Sequence, residues 1–92
     1  MADSIAIYYK DPDAVLDYAI DWSDWLGTDT ISTSAWTVDS GITKDSDSNT
    51  ITTATIWLSG GAAGEHYECT NRITTADGRT DDRTIVIQIQ EK

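Results

Sequence analysis

The side chains that could do chemistry in this chain are few: one histidine, one cysteine and several clusters of aspartate. His66 stands three residues before Cys69, in a stretch with the alternating pattern of a β-strand. Residues an odd number of positions apart on a strand point to opposite faces, so this thiol and this imidazole are not expected to meet. We interpret Cys69 as a small buried hydrophobe, and a single cysteine excludes an internal disulfide.

Two further motifs resemble ligand-binding loops. The pattern Asp45-x-Asp47-x-Asn49 looks like the start of a calcium loop, but Thr50 and Ile56 occupy the positions where an EF-hand needs glycine and a bidentate glutamate. The glycine-rich segment 60–64 lacks the Lys-Ser/Thr of a phosphate loop. We interpret both as turns, and predict no catalytic residue, no cofactor, no metal site and no enzymatic activity.

The run 64–90 predicts two strands joined at Asp77-Gly78. A two-residue loop would put the apolar faces of these strands on opposite sides of the sheet. A three-residue loop at 76–78, with Gly78 left-handed in a G1 bulge, restores the match. This register pairs Tyr67 with Ile87, Cys69 with Ile85 and Arg72 with Asp82.

Tyr67 precedes Cys69 by two residues, which is the spacing of a tyrosine corner at the start of strand F in an immunoglobulin-like sandwich. Eleven isoleucines and no phenylalanine favour a core built on strands. We therefore predict an all-β, immunoglobulin-like β-sandwich of six or seven antiparallel strands, with residues 1–92 forming one domain. Residues 1–13 are either an N-terminal arm or, in their apolar part, the first strand of the sandwich.

The remaining elements follow from alternation and turn signals. Strands are predicted at 14–22, 30–38, 42–44 and 51–58, with a turn at 23–27 and a loop at 45–49. We expect Trp36 and Trp57 in the core. Trp25 is either a contact anchor or a ring folded over an open end of the sandwich.

The charge distribution excludes some partners. The formal net charge is −10 and the isoelectric point about 4.1, so nucleic acid and anionic membranes would be repelled. There is no long apolar run and no signal peptide pattern, so we expect synthesis and retention in the cytosol unless the chain leaves within a larger assembly. The basic residues of the 64–90 hairpin are expected to be neutralised by nearby aspartates: Arg72, Arg79 and Arg83 by Asp77, Asp81 and Asp82.

Several segments together resemble a known family. These are KDPDAVLDYAIDWSDWL at 10–26, the strand that contains Trp36, IWLSGG at 56–61 and ITTADGR at 73–79. They are similar to small virion proteins of tailed bacteriophages that are described as fiber–tail adaptors. The resemblance spans residues 10–90, and LDYAIDWSDWL is its most specific part.

The resemblance implies a sandwich in the phage particle that bridges tail or baseplate proteins to the receptor-binding fibre. It also implies a virion protein made in the host cytoplasm, with other virion proteins as partners and assembly as a ring or multimer. An exposed strand edge can accept a strand from a partner. We predict partner contacts in the apolar N-terminal segment and in the turn after 22: Ile5, Ile7, Tyr8, Tyr9, Trp25 and Leu26.

Two other roles stay open from the residues alone. One is a ligand- or carbohydrate-binding sandwich that uses exposed Trp and Tyr, which would need aromatic rings clustered on one accessible face. The other is an immunoglobulin-like domain of a bacterial surface, which the lack of a signal sequence disfavours.

Overall fold

The structure, a computed structural model, describes the backbone of residues 3–91 and the side chains of residues 6–91. Seven strands and one short helix are present in the described part of the chain, which confirms the all-β prediction. In chain order they are β1 (Asp3–Lys10), β2 (Leu16–Asp21), α1 (Ser23–Leu26), β3 (Ile31–Val38), β4 (Ile42–Asn49), β5 (Thr53–Gly60), β6 (His66–Thr75) and β7 (Thr80–Ile89).

The strands form two sheets, with the orders β1-β7-β6-β3 and β2-β5-β4. Pairing of β3 with β6 and of β2 with β5 joins strands that are distant in the chain, as in an immunoglobulin-like Greek-key sandwich. The prediction that all strands are antiparallel was wrong for β1, which runs parallel to β7. The connection from β1 to β2 crosses between the two sheets, so it does not have to make a hairpin within either of them.

The closing hairpin has the register predicted from parity. Cys69 lies opposite Ile85 and Arg72 lies opposite Asp82. The N–H of Thr75 donates to the Arg79 carbonyl at 2.8 Å, which closes the three-residue loop 76–78, and Gly78 has φ +90°, as the bulge requires. The hydroxyl of Tyr67 accepts a hydrogen bond from the backbone N–H of Ala62 at 3.0 Å, which completes the tyrosine corner.

Two local predictions were wrong in their extent. Residues 45–49 are the second half of β4, because Ser46 to Asn49 pair with β5 despite their turn-like composition. The turn at 23–27 contains one turn of helix, α1, which ends at Gly27 with φ +64°. The segment predicted as a strand at 14–22 is strand β2, which starts two residues later and ends one residue earlier.

The N-terminal segment is a strand of the sandwich and not a detached arm. From Ala6 to Lys10, β1 pairs in continuous register with Ile85 to Ile89. Ala6 and Tyr8 pack against the core, where the ring centroids of Tyr8 and Tyr18 are 5.1 Å apart. Backbone pairing and side-chain packing together bind this segment to the domain.

One tryptophan prediction was correct and one was wrong. Trp36 is buried on β3, but Trp57 on β5 is 41% exposed. Ala54, Ile56 and Leu58 point inward, so strand alternation places Trp57 on the outer face. Trp22, for which no core position was predicted, is fully buried.

One polar side chain, Asn71, lies within the apolar core. Asn71 lies on the apolar face of β6 and is fully buried. Its Oδ1 accepts a hydrogen bond from Trp22 Nε1 at 3.0 Å, and its amide nitrogen donates to the Ser34 hydroxyl and to the Ala35 carbonyl of β3. Because every polar atom of this side chain has a partner, Asn71 links β6 to β3 and to the segment that follows β2 without leaving an unsatisfied group.

Deleting residues 1–9 should destabilise the protein by more than about 2 kcal/mol, because the buried face of β1 and its pairing with β7 are lost. Urea unfolding measures this change. The substitution Tyr9→Ser on the exposed face of β1 is the control, and it should change the free energy of unfolding by less than about 0.5 kcal/mol. A deletion as stable as the intact chain would show that β1 is a detachable arm.

Trp22→Phe should lower the free energy of unfolding more than Trp36→Phe does. The first substitution leaves Asn71 Oδ1 buried without its donor, at a penalty of about 1–3 kcal/mol beyond the loss of ring volume. Trp36 is a matched control because its indole nitrogen is buried without a hydrogen-bond partner. Equal losses in chemical denaturation would mean that the Trp22–Asn71 bond contributes nothing.

Candidate docking site

The structure keeps His66 and Cys69 apart. His66 is exposed on the outer face of β6, while Cys69 is fully buried on the inner face. Burial, with a smaller effect from Asp39, raises the pKa of the Cys69 thiol to about 12. The thiol is therefore protonated at neutral pH, and this pair cannot act as a nucleophile and its base.

The aspartates of β4 make separate contacts rather than one site. Asp45 accepts a hydrogen bond from the Ser59 hydroxyl at 3.0 Å, and Asp47 lies 3.6 Å from Lys44 Nζ. Among the side chains of residues 6–91, no three His, Cys, Asp or Glu groups are placed so that they could hold a metal ion. No helix in this range is long and apolar enough to cross a membrane.

The corner formed by residues 22–26 is structural. Leu26, which was predicted as a partner contact, is only 3% exposed and packs in the core, so it offers little surface to a partner. Trp25 is half-buried, with its ring edge-on to Trp22 at 5.4 Å between centroids. The Arg79 guanidinium lies 4.2 Å from the centre of the Trp25 ring and covers it.

Two arginines of the hairpin hold this corner. Arg79 donates to the Leu26 carbonyl at 2.9 Å and to Asp29 Oδ2 at 3.1 Å. Arg83 lies 4.2 Å above the ring of Trp22. The expected neutralisation by neighbouring aspartates holds for Arg72, which forms a two-point pair with Asp82 at 2.7 and 2.8 Å.

Asp29 is the charged residue that sequence reasoning missed. Its side chain is 2% exposed, and it lies 50 positions from Arg79 in the chain. Burial alone would raise the pKa of this carboxyl. Hydrogen bonds from Thr75, Arg79 and the N–H groups of Thr30 and Asp77 outweigh burial and lower the pKa below its ordinary value. A short turn rich in glycine and threonine gives no local sign of such a distant partner.

The exposed apolar side chains of β1 form a surface that the fold does not use. Ile7 is 61% exposed and Tyr9 is 53% exposed. The register places them on the outer face beside Val86 and Gln88 of β7. Tyr8, also predicted as a contact, points to the core instead, and the side chain of Ile5 lies outside the described residues.

The backbone of β1 is also available on one side. The Lys10 carbonyl accepts a hydrogen bond from the N–H of Gln90 at 2.9 Å. In a parallel pair, alternate residues of a strand bond to the same neighbour, so Tyr8 also faces β7 while Ile7 and Tyr9 direct their N–H and C=O groups away from it. We call this free side of residues 6–10, with the exposed Ile7 and Tyr9, the β1 edge.

Lys10 fixes the end of the β1 edge. Its side chain is fully buried, and Nζ donates to the Gly60 carbonyl at 2.7 Å and to the Asp11 carbonyl at 2.9 Å. Burial lowers the pKa of Lys10, while Asp11, Asp13 and Asp45 act in the opposite direction. These bonds link β1 to the end of β5 and so hold the edge against the second sheet.

The other three outer strands differ from β1. Strand β4 carries the exposed charges Lys44, Asp45 and Asp47, and β2 carries Asp17 and Asp21, which are typical protections of a free edge. The exposed side chains of β3 are small: Ser32, Thr33, Ala35 and Thr37. Strand β2 also exposes one large apolar side chain at its start, Leu16 at 40%, whereas β1 exposes two, Ile7 and Tyr9, with no charged side chain between them.

Two further surface features lie elsewhere. A shallow groove of about 440 Å³ on the outer face of the four-stranded sheet is lined by Ala35, Thr37, Thr70, Arg72 and Asp82. The exposed ring of Trp57 lies on the other sheet, beside Asp17 and Ser46 of the neighbouring strands.

The family model described as "Podophage GP4 fiber-tail adaptor protein gp77" matches residues 10–88. No curated protein matches the chain. The matched range contains β2 to β6, α1 and most of β7, whereas β1 precedes it except for Lys10.

Asp29→Asn should destabilise the protein at neutral pH, because Arg79 loses its charged partner. A carboxyl whose pKa is lowered by folding stabilises the protein above its ordinary pKa of about 3.9, and this contribution disappears as the pH falls through the folded-state value. In urea unfolding, the difference in the free energy of unfolding between the original protein and the variant should therefore become smaller below about pH 4. Asp24→Asn, at an exposed position of α1, is the control; a difference that stays constant with pH would contradict the assignment.

Proposed function

This chain belongs to the family of podophage GP4 fiber-tail adaptor proteins, and we propose that it works in the virion as a non-enzymatic link between tail proteins and the receptor-binding fibre. The family supports a structural role in the tail. The separation of His66 from the buried Cys69 agrees with a role that needs no nucleophile. The work of such a protein lies in its surfaces and in the rigidity of the scaffold that holds them.

The observation that carries the proposal is the β1 edge. Large apolar side chains on a free strand are an aggregation hazard unless a partner covers them, and most proteins protect such strands with charges. Here Ile7 and Tyr9 are exposed side by side on β1, whereas β2 and β4 carry aspartates at their exposed positions. Since the family match begins at Lys10, these contacts are assigned from exposure and position and not from the family pattern.

A linking protein needs a second surface, and the outer face around Trp57 is our candidate. Trp57 lies on the three-stranded sheet, whereas Ile7 and Tyr9 lie on the four-stranded one. Partners on these two surfaces would be held by one rigid sandwich. We expect several copies of the chain in each tail, arranged as a ring or another multimer, because tail proteins are repeated around the particle axis.

A carbohydrate-binding role is less well supported. It would need exposed aromatic rings on one accessible face, as platforms on which sugar rings stack. The two aromatic side chains that are more than 40% exposed in the described part of the chain, Tyr9 and Trp57, lie on different sheets.

The test uses phage particles that carry variants of this chain. The double substitution Ile7→Ser and Tyr9→Ser should reduce the amount of chain or fibre in purified particles about tenfold or more, which is the loss expected when apolar anchors of a docking surface are removed. Quantitative mass spectrometry gives the copy number of each tail protein. Ile51→Ser is a matched control, because Ile51 is 63% exposed but lies outside β1.

Two results would contradict the proposal. One is the absence of the chain from purified tails. The other is an equal loss of fibre in the Ile51 control and in the double variant, since this would show no particular role for β1.

A further inference from the structure

We infer that the occupant of the β1 edge is an extended, positively charged segment of a partner protein, which adds to the four-stranded sheet as a fifth strand. This inference rests on the proposed function and goes beyond it by assigning the way in which the partner binds. A segment of about four or five residues is enough to cover residues 6–10.

The backbone supports strand addition over contact between two flat surfaces. Ile7 and Tyr9 direct their N–H and C=O groups to the open side of β1, while Lys10 bonds to β7. The register from Ala6 to Lys10 is continuous, so these groups are spaced as a partner strand needs. The bulge of β1 lies before Ala6 and does not interrupt this stretch.

The side chains add an apolar strip to this backbone. Ile7, Tyr9 and Val86 lie on the same face of the sheet, because Ile7 pairs with Val86 and Tyr9 with Gln88. An incoming strand beside β1 would place every second side chain on this strip. The partner segment should therefore carry apolar residues at alternate positions.

Charge determines the other positions of the partner segment. The chain has 16 acidic and 6 basic side chains. Several of the cations are engaged within the chain: Lys10, Arg79 and Arg83 hold the fold, and Arg72 and Lys44 pair with Asp82 and Asp47.

The surface thus carries a net negative charge, and the exposed Asp13 lies three residues after the end of β1. Lysine or arginine in the partner segment would complement this charge. A second copy of this chain is a poor occupant, because two bodies of formal charge −10 would be brought edge to edge.

The test compares a backbone change with a side-chain change at one position. Ile7→Pro removes both the outward N–H and the side chain, whereas Ile7→Ser removes only the side chain. The β7 ladder does not use this N–H, and proline is tolerated on edge strands, so both variants should fold. If urea unfolding shows that Ile7→Pro is not stably folded, a synthetic chain with an N-methylated Ile7 amide is used in its place.

The assay measures binding of the purified chain to phage tails assembled without it. Strand addition predicts that Ile7→Pro binds about tenfold more weakly than Ile7→Ser, a difference of about one hydrogen bond. Affinity of the original chain should also fall about tenfold between roughly 50 and 500 mM salt, because opposite charges attract less when screened.

The outcomes separate the two proposals. Failure of the original chain to bind tails would overturn the proposed function. Binding with equal affinities for Ile7→Pro and Ile7→Ser would overturn strand addition alone, and binding that strengthens with salt would overturn the positive charge of the partner. A dimer of the free chain in sedimentation equilibrium that Ile7→Pro abolishes would make a second copy the occupant, which also overturns the inference.

Discussion

The hydrogen bond between Trp22 and Asn71 is the constraint on which the rest of the molecule depends. It runs through the core from the segment after β2 to β6, and the Asn71 amide continues it to β3. A buried asparagine is costly unless all of its polar atoms have partners, so the two sheets can meet in few relative positions. This requirement adds specificity to a core of isoleucine, tyrosine and tryptophan that could otherwise pack in more than one way.

The corner at residues 22–26 extends this constraint to the surface. Arg83 lies over Trp22 and Arg79 over Trp25, while the buried Asp29 receives the Arg79 guanidinium. The most specific segment of the family resemblance, LDYAIDWSDWL, therefore stabilises the fold. Alternate residues of it fill the core, and its second tryptophan is covered by an arginine of the closing hairpin. The segment builds the scaffold, and the scaffold in turn leaves other surfaces exposed.

The edge strands differ in the side chains that they expose, and this difference determines which surfaces can bind a partner. Charged side chains protect β2 and β4, small side chains cover the exposed face of β3, and β1 presents isoleucine and tyrosine. The β1 edge is held in place by its pairing with β7 and by inner side chains that pack on the core. Lys10 also bonds its end to β5. A firm strand with an open side is suited to a linking protein, since little ordering entropy is lost when a partner strand adds to it.

Sequence alone determined what depends on neighbours in the chain. Strand alternation and turn chemistry gave the all-β class, the register of the closing hairpin, the bulged loop at Gly78 and the inward direction of Cys69, because period-two patterning and positive φ are local properties. Alternation around Trp57 also contained the information that this ring points outward, although its position near the middle of a strand led to the opposite prediction.

Tertiary structure decided what depends on distant partners. The strand at residues 45–49 exists because β5 supplies its hydrogen bonds, and the assignment of residues 6–10 to the sandwich depends on β7. Asp29 meets Arg79 and Trp22 meets Asn71 across about fifty positions of chain. Their residue types carry no sign of these pairs, because a single sequence records composition and spacing but not which distant segments the two sheets bring together.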